Sequence, residues 1–292
     1  MTDRLEPIDK DQARRAFGRA ADSYDAMAVL QREIGERMAE RLDLIKLLPT
    51  RVLDAGCGTG AETARLMQRY PKSQVLALDF AEPMLARTRK RGGWWRKPVC
   101  LCGDLESLPL ADDSVDLLWS NLAVQWVNDL GLAFREALRV LRPGGLFMFS
   151  TFGPDTLQEL RAAWATVDGA SHVSPFLDMH DVGDQLIQSR FADPVMDAEH
   201  LTLTYGDARQ LMAELKGIGA HNATAGRPRG LTGKARLKAM LAAYEGFRRD
   251  GVLPATYEVV YGHAWVPEQK TAVGGGGEVR VSPRAIGRMP RP

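Results

Sequence analysis

From Lys10 to Leu48 the apolar residues Ala13, Ala16, Phe17 and Ala20, then Leu30, Ile34, Met38 and Leu42, recur at the three-to-four-residue spacing of one helix face. The polar stretch Asp22 to Asp25 interrupts them and predicts helix, short turn, helix. The pattern then changes. RVLDAG at 51–56 and QVLALDF at 74–80 are short apolar runs on either side of a helical stretch, TARLMQRY, so the order is strand, helix, strand. A helix from Pro83 to about Arg91, strands at VCLCGD and VDLLWS, a helix over GLAFREALRVL and a strand at LFMFSTF continue it. Such alternation predicts a doubly wound α/β fold with right-handed crossovers. Beyond Phe152 the alternation loosens into helices at 155–167, 180–189, 207–217 and 233–249, with strands at 195–205 and 255–266. The two late strands are expected to pair antiparallel and close one edge of the sheet.

Composition changes this picture little. The chain has 292 residues, 45% hydrophobic and 26% charged, with a formal net charge of +1, which fits a water-soluble protein with a sizeable core and no global field for nucleic acid. Positive charge is local, at RKRGGWWRK (89–97) and GRPRGLTGKARLK (226–238). Cys57, Cys100 and Cys102 complete no zinc-ligand spacing, and no metal is implied. The N-terminus lacks an apolar signal core and no run of 18 apolar residues occurs, so a cytoplasmic protein without membrane or nucleic-acid partners is expected. The segment after Lys270, with its GGGG run, is too poor in apolar residues to pack and is expected to be disordered. The four segments are read as an N-terminal helical lid (1–48), a cofactor-binding core (49–153), the rest of the core with a helical insert (154–267) and the tail (268–292).

VLDAGCGTG at 52–60 puts Gly56, Gly58 and Gly60 in the turn after the first strand, where glycine permits positive φ and lets a ligand approach the backbone. The loop lacks the G-x-G-x-x-G spacing of a dinucleotide site, which argues against a dehydrogenase. Asp79 ends the second strand, where a carboxylate accepts ribose hydroxyls, and Phe80 follows it. Asp104 and Leu105 follow the third strand, suited to an adenine amine and ring. The alternative for both acids is a turn or helix-cap role. Then LLWSNLAVQWVN at 117–128 sets Ser120, Asn121 and Gln125 among apolar residues, although burying an unpaired amide costs about 1 to 3 kcal/mol. At the lip of the sheet these groups are expected to face a ligand, with Trp126 excluding water.

Glycine loop, Asp79, Asp104 and RPGG, in that order over 51–152, resemble the class I S-adenosylmethionine-dependent methyltransferases. The resemblance implies a Rossmann-like, mostly parallel seven-stranded sheet. It also implies Gly56 and Gly58 at the methionine part of the cofactor, Asp54 near its ammonium group, Asp79 on the ribose and Asp104 with Leu105 around the adenine. AFGRAADSYD (16–25), LDFAEPML (78–85), GDLESLPL, WSNLAVQW, RVLRPGG and LKGIGA (215–220) together resemble the malonyl-acyl-carrier-protein O-methyltransferases of biotin synthesis, across residues 10 to 266. The implied reaction methylates the free carboxylate of a malonyl thioester on acyl carrier protein or coenzyme A. A malonyl carboxylate is already ionised at neutral pH, so no strong base is required; alignment in a dry pocket is. Phe17, Tyr24 and Trp126 suit its walls, and Tyr24 can donate to the carboxylate. Lys216, Arg227 and Arg229, or His172 and His180, are candidates to hold it, and Arg227, Arg229 and Lys234 to steer an acidic carrier. The competing readings are a methyltransferase for another small carboxylate or a quinone precursor, and a non-catalytic S-adenosylmethionine-binding regulator.

Overall fold

The computed structural model describes residues 7–227, 230 and 232–268; Arg229 and the expected tail from 269 onward lie outside them. Three helices open the chain: α1 (Lys10–Ala20), α2 (Tyr24–Met27) and α3 (Val29–Asp43). Asp9 starts α1 by accepting the Gln12 N–H at 3.0 Å, and the break falls at 21–23, where the polar stretch put it.

The remaining elements alternate as β1 (Arg51–Ala55), α4 (Ala61–Arg69), β2 (Gln74–Asp79), α5 (Glu82–Thr88), β3 (Val99–Cys102), β4 (Val115–Asn121), α6 (Leu130–Val140) and β5 (Leu141–Phe152). They continue with α7 (Gln158–Ala165), α8 (Met179–Gln188), β6 (Ala192–Tyr205), α9 (Ala208–Gly217), α10 (Lys234–Glu245) and β7 (Leu253–Trp265). The seven strands form one sheet in the order β3-β2-β1-β4-β5-β7-β6. β1 to β5 run parallel and β7 lies antiparallel between β5 and β6, so the late strands close the edge as expected. β5 starts five residues earlier than its apolar run, because Leu141 already pairs with Val115 across a register shift.

Burial follows position in the sheet. Inner strands β1 and β2 are buried on both faces after their first residue, whereas edge strand β6 alternates. On β4, Leu117 and Trp119 face a core with Ile34, Met38 and Tyr257, while Leu118 faces the opposite core with Phe134 and Phe149. Among the described residues no helix is long and apolar enough to cross a membrane.

The N-terminal segment lies across the carboxyl ends of the strands and is tied down at both ends. Lys10 pairs with Asp104 at 2.6 Å and with Glu106, and the Ile8 N–H donates to Asn128 Oδ1 at 2.6 Å. Asp25 accepts from the Thr59 hydroxyl at 2.5 Å and pairs with Arg91 at 2.6 Å. The segment also joins the region after α9: the Asp9 N–H donates to Ala223 O at 2.7 Å and Ser23 Oγ to Gly217 O at 2.8 Å.

Candidate active site

The β1–α4 turn carries Gly56, Gly58 and Gly60 at φ of 83°, 53° and 82°. A Cβ at Gly56 would stand 2.2 Å from the Ala123 methyl, whereas one at Gly58 would meet only the Tyr24 ring, at 3.8 Å. The first glycine therefore serves packing, and the second keeps a cavity open. That cavity runs between Gly56, Gly58, Asp79 and Phe80 on one side and Asp104, Leu105 and Trp126 on the other.

Asp79 is 5% exposed and accepts the N–H groups of Gly58 at 2.9 Å and Ala81 at 2.8 Å. Burial pushes its carboxyl up to about 6, with those backbone bonds pulling the other way. The turn role is therefore filled, while the carboxylate still lines the cavity. Asp104 accepts the Glu106 N–H at 3.0 Å as well as Lys10. Phe80 meets Phe17 edge-on at 5.9 Å.

A neighbouring cavity at the loop is lined by Asp54, Glu62, Gln31, Gly58 and Tyr24. Asp54 accepts from the Thr63 hydroxyl at 2.5 Å. Burial pushes Asp54 and Glu62 each up to about 7; the Thr63 bond opposes the shift in Asp54, and Arg65 opposes it in Glu62. Glu62 Oε2 is buried without a hydrogen-bond partner among the described residues. A buried carboxylate oxygen without a hydrogen bond, its ion-pair partner Arg65 standing 3.7 Å away, beside an open glycine loop, fits the ammonium of an amino-acid-bearing cofactor. With Asp79 and Asp104 further along, the donor set suits S-adenosylmethionine from its methionine end to its adenine.

A third, largely apolar cavity opens on the far side of Phe17, Tyr24, Leu122 and Trp126, four residues that line both it and the first cavity. Trp126 stands edge-on to Phe17 at 4.9 Å, and the two rings form the partition. Tyr24 lines all three cavities, its hydroxyl held protonated by burial.

The amides of the 117–128 stretch divide. Asn121 lines the cofactor cavity but uses its amide to donate to Gln31 O at 2.9 Å and to accept from Ser150 Oγ at 2.7 Å, which ties α3 to the sheet. Gln125 lines the apolar cavity, 3.4 Å from the Thr151 hydroxyl. Ser120 does not face a ligand: it is wholly buried and donates to Ala55 O at 2.9 Å, because its place inside β4 turns it toward β1.

The expected cations are not in the apolar cavity, whose described walls include neither Lys nor Arg. Arg227 instead donates to Thr224 O at 2.8 Å and pairs with Asp9 at 3.3 Å, holding the chain after α9 to the start of α1. Lys216 and Lys234 are exposed. His172 does line the cavity, stacked on Trp164 and bonded to Asp168 at 2.8 Å, while His180 sits outside on α8 beside its cap Asp178. The sequence reading missed Gln31, Leu122, His221 and Asn222. Leu122 leaves β4 at a φ of 51°, a conformation costly for leucine that turns the chain across the cofactor cavity. His221 and Asn222 directly follow the LKGIGA stretch, which was the available signal.

Residues 53–149 match the family model described as a methyltransferase domain. In overall fold the protein is similar to the YcgJ protein of Bacillus subtilis, with a TM-score of 0.56 at 18% identity, covering 80% of this chain and 98% of that one. It is also similar to an S-adenosylmethionine-dependent methyltransferase of Thermotoga maritima, with a TM-score of 0.52 at 17% identity over 88% and 100% of the chains. Curated relatives are nearer in sequence. The malonyl-[acyl-carrier protein] O-methyltransferase of Gallionella capsiferriformans is 55% identical over 94% of this chain and 97% of its own length. That of Halorhodospira halophila is 49% identical over 98% of both. With such identity over nearly the whole of both chains, the chain belongs to the malonyl-[acyl-carrier protein] O-methyltransferase family.

Proposed function

We propose that the protein methylates the free carboxylate of a malonyl thioester carried by acyl carrier protein, an early step of biotin synthesis, with S-adenosylmethionine as methyl donor. The observation that carries this reading is the partition: Phe17, Tyr24, Leu122 and Trp126 line both a cavity that holds Asp79 and Asp104 in its walls and an apolar cavity without Lys or Arg in its described walls. When bound, S-adenosylmethionine supplies a methyl on a sulfonium, so a carboxylate O–C bond forms as the S–C bond breaks, the electron pair passing to sulfur with no proton transferred. The residues need only bind, orient and exclude water.

They suit that task. Asp79 and Asp104 hold ribose and adenine, while Asp54 and Glu62 face the ammonium. A cation gripping the acceptor would draw charge from the attacking oxygen; the Tyr24 hydroxyl, as a neutral donor, holds one oxygen and leaves the other free. Gln125 and Asn222 add neutral amides along the same cavity, suited to the amide-bearing arm of a thioester. No base is needed. The two cavity histidines, His172 bonded to Asp168 and His221 pushed below its ordinary value by burial and by Arg19 and Lys216, have no proton to take in this transfer.

The direct test is intact-mass analysis of malonyl carrier protein incubated with the enzyme and S-adenosylmethionine, with free malonate and succinyl carrier as controls. A gain of one methyl on the malonyl carrier alone is expected. Methylation of free malonate at equal efficiency would move the function to a small-carboxylate methyltransferase.

A further inference from the structure

The apolar cavity has an accessible side. His172 and Ser174 in one wall and His221 and Asn222 in another are half-buried, and Asn222 Nδ2 joins the two by donating to Ser171 O at 2.7 Å. Leu160 and Tyr257 on the far wall are buried. Helix α10 starts beside this opening: Arg236 lies 3.6 Å from Asp168, which holds His172.

The start of α10 is electrostatically odd. Lys234, Arg236 and Lys238 occupy three of its first five positions, no acid stands in its first turn, and Gly233 gives no side-chain cap. A helix N-terminus is the positive pole, so cations there oppose folding. Asp9, Asp178 and Asp207 cap α1, α8 and α9, whereas α3 shares with α10 the lack of a cap and of a first-turn acid. Lys234 and Lys238 are exposed and have no acidic partner among the described residues. On the His221 side Arg19 and Lys216 are likewise exposed and unpaired, near enough to His221 to act on its charge.

The second basic run behaves differently. Arg87, Arg89 and Arg91 pair with Asp22, Glu82 and Asp25, and Arg96 is spent on the carbonyls of Met67, Tyr70 and Ser73. Its arginines are used within the fold, leaving Lys90 and Lys97 exposed.

We propose that the face formed by Lys234 and Lys238 of α10, with Arg19 and Lys216 on the His221 side of the cavity, is the docking surface for an acidic helical carrier protein that delivers its acyl arm between His172 and His221. The proposal rests on the reading of the substrate as carrier-linked. It places docking on α10 and the end of α9 rather than on Arg227, whose charge Asp9 already answers. Charge complementarity at such a rim acts mainly on encounter and is weakened by salt.

The test is the double variant Lys234→Glu, Lys238→Glu, assayed with malonyl carrier protein and with malonyl-pantetheine between low and moderate salt. The expected result is a fall of about tenfold or more in kcat/KM for the carrier substrate, carried by KM and shrinking with added salt. Turnover of malonyl-pantetheine stays within about twofold, and the Tm holds or rises, since glutamate suits a helix N-terminus. Unchanged kcat/KM for the carrier, or equal loss on both substrates, overturns the proposal. Lys234→Gln, Lys238→Gln repeats the comparison if the reversal fails to fold. If the wild-type enzyme methylates neither thioester, the functional reading falls. The docking face is then judged by carrier binding in fluorescence anisotropy, where equal affinity for wild type and variant overturns it.

Discussion

The two glycines at the centre of the β1–α4 turn share a left-handed backbone but differ in what surrounds them, so their alanine variants should part. Gly56→Ala adds backbone strain of about 1 to 2 kcal/mol to a methyl-on-methyl overlap worth a similar amount, and should lower the Tm markedly. Gly58→Ala meets only the Tyr24 ring at 3.8 Å, so it should cost the fold little beyond backbone strain while narrowing the cofactor cavity. Isothermal titration with S-adenosylmethionine should show at least a tenfold weaker Kd for Gly58→Ala in a protein that still melts cooperatively. Tyr24→Phe removes a hydroxyl that no described residue bonds, so its Tm should match wild type. If that hydroxyl holds the acceptor carboxylate, kcat/KM for the malonyl substrate should fall by about 10- to 100-fold, because a hydrogen bond to a charged group contributes about 1.5 to 3 kcal/mol. Cofactor Kd should change far less. An unchanged kcat/KM would remove Tyr24 from the acceptor site.

Among the elements, the segment 7–27 behaves as a strap, latched by Lys10 at Asp104 and by Asp25 at Thr59 and Arg91. Each latch is a partly exposed ion pair and adds about 0.2 to 1 kcal/mol to the fold, yet together they straddle the cofactor cavity. The double variant Lys10→Ala, Asp25→Ala should melt within a few degrees of wild type while losing S-adenosylmethionine faster. Stopped-flow dissociation and amide exchange over residues 7–27 would show this, and unaltered exchange would mean that packing of Phe17 and Tyr24 alone holds the strap. Little of the strap was legible in the sequence, since its contacts join residues as distant as Lys10 and Asp104. The sheet was legible, because buried strands such as Val75 to Leu78 are short apolar runs ended by Asp or Gly. The early start of β5 was hidden by Pro143, Gly144 and Gly145, which read as a turn although Gly145 O accepts the Val266 N–H. For the site, the acids and glycines were marked by position after strands. Ser120 was misjudged because its hydroxyl is taken up by Ala55 O, an acceptor that only the pairing of β4 with β1 brings beside it. Gln31 and His221 carried no signal of their own until the strap and the α9 turn brought them to the cavity.

At the scale of the whole molecule, three buried carboxyls make the ligand-free protein sensitive to pH. Asp79 is held at about 6 and Asp54 and Glu62 at about 7, against ordinary values of 3.8, 3.8 and 4.5. Between about pH 4 and 7 the folded state therefore keeps protons that the unfolded chain has released. Stability from these groups is fully present below their unfolded values and lost as pH rises through the folded ones. His221 and His263, both pushed down by burial, work in the opposite sense as pH falls below 6.5. The acids should prevail, being three nearly buried groups shifted by two or more units against two half-buried rings. The ligand-free Tm should thus be higher at pH 5.5 than at 7.5. Binding should reverse the preference. A cofactor bearing an ammonium and a sulfonium favours the ionised carboxylates, so its binding releases protons and tightens as pH rises from 5.5 to 7.5. Differential scanning fluorimetry across this range, with and without S-adenosylmethionine, should show the stabilisation by cofactor growing with pH. Titrations in buffers of different ionisation enthalpy should show net proton release near pH 6.5. Proton uptake instead would mean that these acids do not face the cofactor's positive charge, and would move the ammonium contact away from Asp54 and Glu62.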